Sequence, residues 1–209
     1  MPNKILIGVP SGSSIPISFM GCYKDAVFLE NGDENLFYNH RGSNTVTARN
    51  NCVHEMLLKD YTHLFFLDSD MVFPKGTLQR LLNHDVDIVG GFYVRKRNNF
   101  WPNAFKLGER PSGKYLTEWI NEYKEVEAIG TGCLLIKRHV FEKVKVPWFE
   151  YQWNGDPDGK MITEDLVFCE KAKKLGFKIY CDGTIKCGHV GSMIIWPTEK
   201  EMRNKVEPI

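Results

Sequence analysis

His63-Leu64-Phe65-Phe66-Leu67-Asp68-Ser69-Asp70 is the stretch that decides the fold. The apolar run from Leu64 to Leu67 predicts a strand buried on both faces, as in sheets covered by helices on each side. The strand then meets two carboxylates separated by one residue. Side chains alternate along an extended chain, so Asp68 and Asp70 are expected on the same side of the strand end. Carboxylates that close repel, and one would protonate unless a cation lay beside them. A hard divalent ion such as Mg²⁺ or Mn²⁺ satisfies both and completes its shell with phosphate oxygens. Ligands of open α/β sheets bind at the carboxyl ends of strands. The pair therefore suits a metal held against a diphosphate, although Asp-Ser-Asp is also ordinary turn composition after a core strand.

The segments before this strand repeat the same grammar. Lys4-Ile5-Leu6-Ile7-Gly8-Val9-Pro10-Ser11 is an apolar strand running into a loop of small residues, which can offer backbone N–H groups to a nucleotide. That loop has neither the dinucleotide-binding nor the P-loop glycine spacing. A helix is expected between Ile15 and Leu29, and a short strand over Leu36-Phe37-Tyr38-Asn39-His40. Thr45 to Leu58 predicts a helix capped by Asn44 or Thr45, with Val46, Val53, Met56 and Leu57 at helical spacing. Arg49 falls early in it, as a guanidinium near a nucleotide or as a solvated surface residue.

Past Asp70, Met71-Val72-Phe73-Pro74 is expected to open a helix through Leu82, with Pro74 in its first turn. Asp87 to Val94 is a strand, and Arg95 to Pro102 a basic and aromatic loop able to stack on sugar or base and to pair with phosphate. Val126 to Lys137 reads as one strand centred on Gly130-Thr131-Gly132. Arg138 to Val144 is a short helix. The aromatics of Pro147 to Trp153 fit either a carbohydrate contact or a satellite core. Gly155 to Lys160 reads as a lid-like turn. Thr163-Glu164-Asp165 opens a helix whose lysines and Gly176 close it. Acids are common at helix starts, so a general-base role for Glu164 or Asp165 needs one of them to face a pocket. A last core strand over Phe177 to Asp182 precedes the glycine-flanked His189, a possible metal ligand or an unremarkable polar residue. Pro197 to Lys205 is expected to be a charged helix.

The chain of 209 residues suffices for one substantial core, and 43% hydrophobic with 25% charged residues is ordinary globular composition. A net charge of +1 provides no general attraction to nucleic acid or acidic membranes. No apolar run reaches membrane-span length, and the N-terminal residues lead into a strand rather than a signal peptide. The six cysteines form no Cys-x-x-Cys pair and mostly lie in apolar patterns, which points to reduced thiols and a cytoplasmic protein.

In order, these features resemble the GT-A-fold glycosyltransferases, especially the family-2-like and small viral or bacterial members. The resemblance runs from Ile5 to about Val190. It rests on Thr47-Ala48-Arg49-Asn50, on Phe65-Phe66-Leu67-Asp68-Ser69-Asp70, on Gly130-Thr131-Gly132, and on Thr163-Glu164-Asp165 through His189. It implies an α/β fold: one GT-A-type, Rossmann-like domain over residues 1–209 with a mostly parallel central sheet flanked by helices. Its nucleotide-binding half would end near residue 95, and residues 96–209 would form the acceptor side. It also implies a nucleotide-sugar donor, a UDP-sugar first, with Mn²⁺ or Mg²⁺ on the diphosphate, and a carbohydrate or glycan acceptor. By this resemblance Asp70 is the direct metal ligand, His189 completes the site, and Asp68 contacts ribose or sugar or reaches the metal through water. Pro10, Ser11, Arg49, Ser69, Gly130 and Gly132 belong to the donor site. Asp165 is the candidate base that takes the acceptor hydroxyl proton, with Glu164 second. The expected location is cytoplasmic, or host cytoplasm for a viral protein. A sugar-nucleotide nucleotidyltransferase would carry a basic residue in the loop after its first strand, which Val9 to Pro16 lacks. A non-catalytic nucleotide-sugar- or glycan-binding module is the other alternative.

Overall fold

A computed structural model describes residues 2–12, 14–30, 33–41, 44–96, 100–108, 115–153, 155, 161–191, 193–197 and 205–208. In chain order its elements are β1 (Lys4–Ser11), α1 (Ile17–Ala26), β2 (Glu34–Arg41), α2 (Thr45–Leu58), β3 (His63–Leu67), β4 (Met71–Val72), α3 (Thr77–Leu82) and β5 (Ile88–Phe92). There follow β6 (Ala104–Leu107), β7 (Tyr115–Glu118), β8 (Tyr123–Val126), β9 (Ala128–Ile129), β10 (Cys133–Lys137) and α4 (Arg138–Lys143). The last are β11 (Gln152–Trp153), β12 (Met161–Ile162), α5 (Glu164–Lys174), β13 (Ile179–Lys186), β14 (Gly188–Val190), β15 (Met193–Trp196) and β16 (Lys205–Pro208).

The central sheet has the order β2-β1-β3-β10-β5-β13-β8. The pairings β1–β2, β1–β3 and β5–β13 are parallel, and both neighbours of β10 are antiparallel to it. Five of the seven strands therefore point the same way, with β10 and β8 reversed, in a mixed α/β sheet of GT-A type. Every residue of β3 is buried. Alternation sends Leu64 and Phe66 to one face, where α2, α4 and α5 bring Val53, Met56, Phe141 and Phe168. Phe65 and Leu67 go to the other, where Phe19 of α1 and Leu78 and Leu81 of α3 cover them. Each face supplies a separate apolar core, so the run Leu64–Leu67 is needed whole.

Two expected elements divide differently. Met71-Val72 is not helical: it pairs antiparallel with β14, placing His189 beside Met71 and Gly188 beside Val72. The helix that follows begins only at Thr77, after Gly76 adopts a left-handed φ of 69°, so Pro74 precedes it. The stretch Val126 to Lys137 is likewise not one strand. Ala128–Ile129 pairs with β6, Gly130-Thr131-Gly132 turns, and Cys133–Lys137 enters the central sheet between β3 and β5. In the aromatic stretch, Trp148 and Phe149 belong to the core while Tyr151 and Trp153 are exposed. Most of the 155–160 turn and of the tail lie outside the described residues; Lys205, expected at the end of a helix, lies in β16.

No helix among the described residues is long and apolar enough to cross a membrane. All six cysteines are free thiols, and all but Cys22 are buried.

Candidate functional site

A cavity of about 440 Å³ opens at the carboxyl ends of β1 and β3. Pro10, Ser11 and Gly12 form one wall, Asp68, Ser69 and Asp70 another, and Asn44, Thr45 and Ala48 of α2 a third, with Tyr151 at the rim. The volume lies within the range typical of small-molecule sites. Asn44 caps α2, its Oδ1 accepting from the Thr47 N–H at 2.9 Å. The amino end of this 14-residue helix, the positive end of its dipole, thus borders the cavity through Asn44, Thr45 and Ala48.

β3 ends at Leu67, and Asp68, Ser69 and Asp70 turn rather than continue extended. Strict alternation thus does not describe the two carboxylates, which line one cavity but have different partners. The Asp68 N–H donates to the Gly132 carbonyl at 3.0 Å, and the N–H of Val190 donates to the Asp70 carbonyl at 2.7 Å. The backbone on both sides of the turn is thereby fixed by distant strands.

Asp70 faces the end of β14. Its Oδ2 lies 3.5 Å from His189 Nε2 and accepts a short hydrogen bond from Lys96 Nζ. Burial alone would raise the pKa of Asp70, but the hydrogen bonds and charges of His189 and Lys96 hold it well below the usual carboxylate range. His189 Nδ1 is 3.0 Å from the Val94 carbonyl, which can only accept. Nδ1 is therefore the donor in that contact, and Nε2 is the ring nitrogen on the Asp70 side. A carboxylate oxygen and an imidazole nitrogen at this spacing fit two adjacent ligands of one Mn²⁺ or Mg²⁺ ion. No group of three or more His, Cys, Asp or Glu side chains able to hold a metal occurs among the described residues. A metal here would draw its further ligands from phosphate and water.

Asp68 is engaged elsewhere. Both its oxygens accept from Arg49 Nη2, at 3.1 and 3.3 Å, and Arg49 Nη1 donates to Glu164 in a short contact. Arg49 is only 4% exposed, so its guanidinium lies beneath the cavity wall, tying the β3 turn to the start of α5. Desolvation would lower its pKa; Asp68, Glu164 and Asp165 more than offset that and keep it charged. Burial pushes Glu164 up, against the opposing pull of Arg49.

Asp165 is half-buried. Its Oδ1 accepts from the Thr163 hydroxyl in a short contact and from the Leu166 N–H at 2.9 Å, and among the described residues Oδ2 is left for another partner. Thr163 thus does not cap α5 through its own side chain.

Gly130 and Gly132 wrap the ring of Tyr93. A Cβ on either would come within 2.5 or 2.9 Å of its hydroxyl oxygen, and the Gly132 N–H donates to that oxygen at 3.0 Å. These glycines position Asp68 through the Gly132 carbonyl and are not among the residues lining the cavity. Pro10, Ser11, Ser69, Asp68 and Asp70 do line it. Lys96 and Tyr151 were missed as site residues by sequence reasoning. The basic character of 95–97 was a signal for the first, but choosing Lys96 requires knowing that β4 pairs with β14. Tyr151, whose hydroxyl pairs with Glu164, sat in an aromatic run with two core residues and no marker of its own.

No family model and no curated protein matches the sequence. Among solved structures the fold is similar to A197 from STIV, at 22% identity and a TM-score of 0.69, over 99% of this chain and 93% of that one. It is also similar to GalNAc-T7 in a crystal structure with UDP, GalNAc and Mn²⁺, at 11% identity and a TM-score of 0.59, over 91% of this chain and 44% of that one. At these identities the likeness establishes the fold alone.

Proposed function

We propose that this chain is a metal-dependent glycosyltransferase that moves a sugar from a nucleoside-diphosphate sugar, a UDP-sugar first, to a hydroxyl of a carbohydrate-like acceptor. One observation carries it: the β4–β14 pairing brings His189 to 3.5 Å from Asp70, which lines a cavity formed by strand ends. The fold likeness to a protein crystallised with UDP, GalNAc and Mn²⁺ supports the same reading.

Asp70 Oδ2 and His189 Nε2 would hold the Mn²⁺ or Mg²⁺, whose contribution is Lewis-acid neutralisation of the diphosphate leaving group. Pro10, Ser11 and the amino end of α2 bound the space for the nucleoside. Arg49 acts from below, fixing Asp68 for the donor ribose or sugar and leaving Glu164 engaged. Asp165 then takes the proton of the acceptor hydroxyl at Oδ2, with Oδ1 held by Thr163 and Leu166 so that the free oxygen is oriented. Tyr151 and the exposed Trp153 border the acceptor side.

The test is a thermal-shift or calorimetric series of UDP-, GDP-, CMP- and dTDP-sugars with and without Mn²⁺. A donor at a hundredfold excess over Kd adds about 2.7 kcal/mol to stability, a readily measured rise in Tm. Stabilisation by one nucleotide class that needs Mn²⁺ and disappears in Asp70→Ala is the expected result. Stabilisation by none of them would overturn the transferase proposal.

A further inference from the structure

Lys96 has no part in the proposed function, yet its ammonium takes the oxygen that a metal ion would need. Its Nζ donates to Asp70 Oδ2, the oxygen that faces His189 Nε2, and lies 3.4 Å from the Val190 carbonyl. The side chain is 41% exposed and reaches over from the connection between β5 and β6. A divalent ion held by Oδ2 and Nε2 would share Oδ2 with that ammonium, and like charges so close repel strongly in a partly buried site. Sharing one carboxylate oxygen is unfavourable for two cations, so entry of the ion favours withdrawal of Lys96, and the anion arriving within reach is the diphosphate itself.

Resting on the proposed metal–diphosphate site, we infer that Lys96 is an exchangeable counter-cation: it neutralises Asp70 before the metal enters and clamps the diphosphate afterwards. Metal alone displaces an ion pair without compensation, so it binds weakly. Metal together with nucleotide gives Lys96 a new anionic partner, so the two ligands bind with positive cooperativity, and each strengthens the other by the same factor. The chain would thus discriminate against divalent ions that arrive without a donor.

The experiment measures Mn²⁺ binding from the electron paramagnetic resonance signal of free Mn²⁺, with and without UDP. It compares the wild type with Lys96→Met, Lys96→Arg and Asp70→Asn, using circular dichroism to confirm folding. Lys96 is on the surface, so its variants are expected to fold. Lys96→Met should bind Mn²⁺ alone about tenfold more tightly than wild type and lose most of the enhancement by UDP, a coupling within the usual range. Lys96→Arg should keep the cooperativity, and Asp70→Asn should lose Mn²⁺ under both conditions. If wild type shows UDP-dependent Mn²⁺ binding but Lys96→Met binds Mn²⁺ alone no more tightly, the metal site stands and the role of Lys96 is overturned. If no variant binds Mn²⁺ with or without UDP, the metal site falls and the inference falls with it.

Discussion

The two carboxylates at the start of α5 are adjacent in sequence and opposite in circumstance. Glu164 is buried against Arg49 with its pKa raised by desolvation, whereas Asp165 keeps one oxygen in hydrogen bonds and one in reserve. A group already committed to a buried ion pair is a poor proton acceptor; a half-buried carboxylate with an oriented free oxygen is a good one. Asp165→Asn is therefore expected to leave Mn²⁺-dependent UDP affinity within about twofold while cutting sugar transfer by about 10²–10⁴-fold, the usual scale of general-base catalysis. Parallel calorimetry and product assays check this, and loss of donor binding as well would make Asp165 a binding residue. At this scale the sequence was legible by residue type and less so by geometry. The pair Asp68/Asp70 stood out as acids after a buried strand. Their separation into an Arg49-bound carboxylate and a His189-facing one depends on contacts from α2 and β14 that no local pattern encodes. Arg49 was open as a solvated or nucleotide-facing residue; it is not solvated but buried between two carboxylates, and that burial is a tertiary property.

Among elements, α2 joins the cavity to the core, presenting Asn44 and Thr45 at its amino end and burying Cys52, Val53 and Met56 below. Its other end is closed by a residue from a different helix. Arg138 Nη1 donates to the carbonyls of Met56, Lys59 and Tyr61, and Nη2 to that of Leu57, at 2.6–3.3 Å. The carbonyls of Met56, Leu57 and Lys59 are acceptors a helix terminus leaves without intrahelical partners, next to the negative end of its dipole, and that of Tyr61 lies just beyond it. Arg138→Ala should destabilise the fold by about 2 kcal/mol in urea unfolding. The helix spans about 21 Å, so UDP affinity of the folded protein should not change. Helices with clear signals at both ends, α2 and α5, were readable from sequence. Short elements were not. Two residues of β4 carry no periodicity, and the break in 126–137 arises because Gly130 and Gly132 must fit around Tyr93, a residue supplied by another strand end.

For the molecule as a whole, titration of its buried groups sets the acid side of stability. His63 opens β3 opposite Lys137 of β10; burial first, and that lysine next, lower its pKa from 6.5 to about 4. The unfolded chain therefore binds a proton that the native state refuses. The corresponding stability is fully present above pH 6.5 and is lost as pH falls from 6.5 towards about 4. It is on the order of 2–3 kcal/mol. Glu164 has the opposite sign: its raised pKa makes the folded state the better proton binder, so its stabilising share is present at low pH and is lost as pH rises through its folded value. His63→Gln should flatten the fall in urea midpoint between pH 7 and pH 5, and an unchanged slope would remove His63 from the account. The fold class was the most legible feature of all, since buried strands alternating with amphipathic helices permit few layered arrangements. The reversed β10, inserted between β3 and β5, was not legible, because an apolar strand reads the same in either direction.

The pairing of β4 with β14 also imposes an order on synthesis. Asp70 emerges from the ribosome long before His189, and the strand that joins them cannot form until Gly188 to Val190 have left the exit tunnel. The nascent chain can complete the β1–β3 ladder early, yet it carries Asp70 without His189 throughout the synthesis of the residues between them. With Asp70 and His189 as the metal ligands proposed above, donor binding would be acquired late, and a nascent chain stalled before residue 188 would hold its β1–β3 ladder without being able to grip a nucleotide through metal.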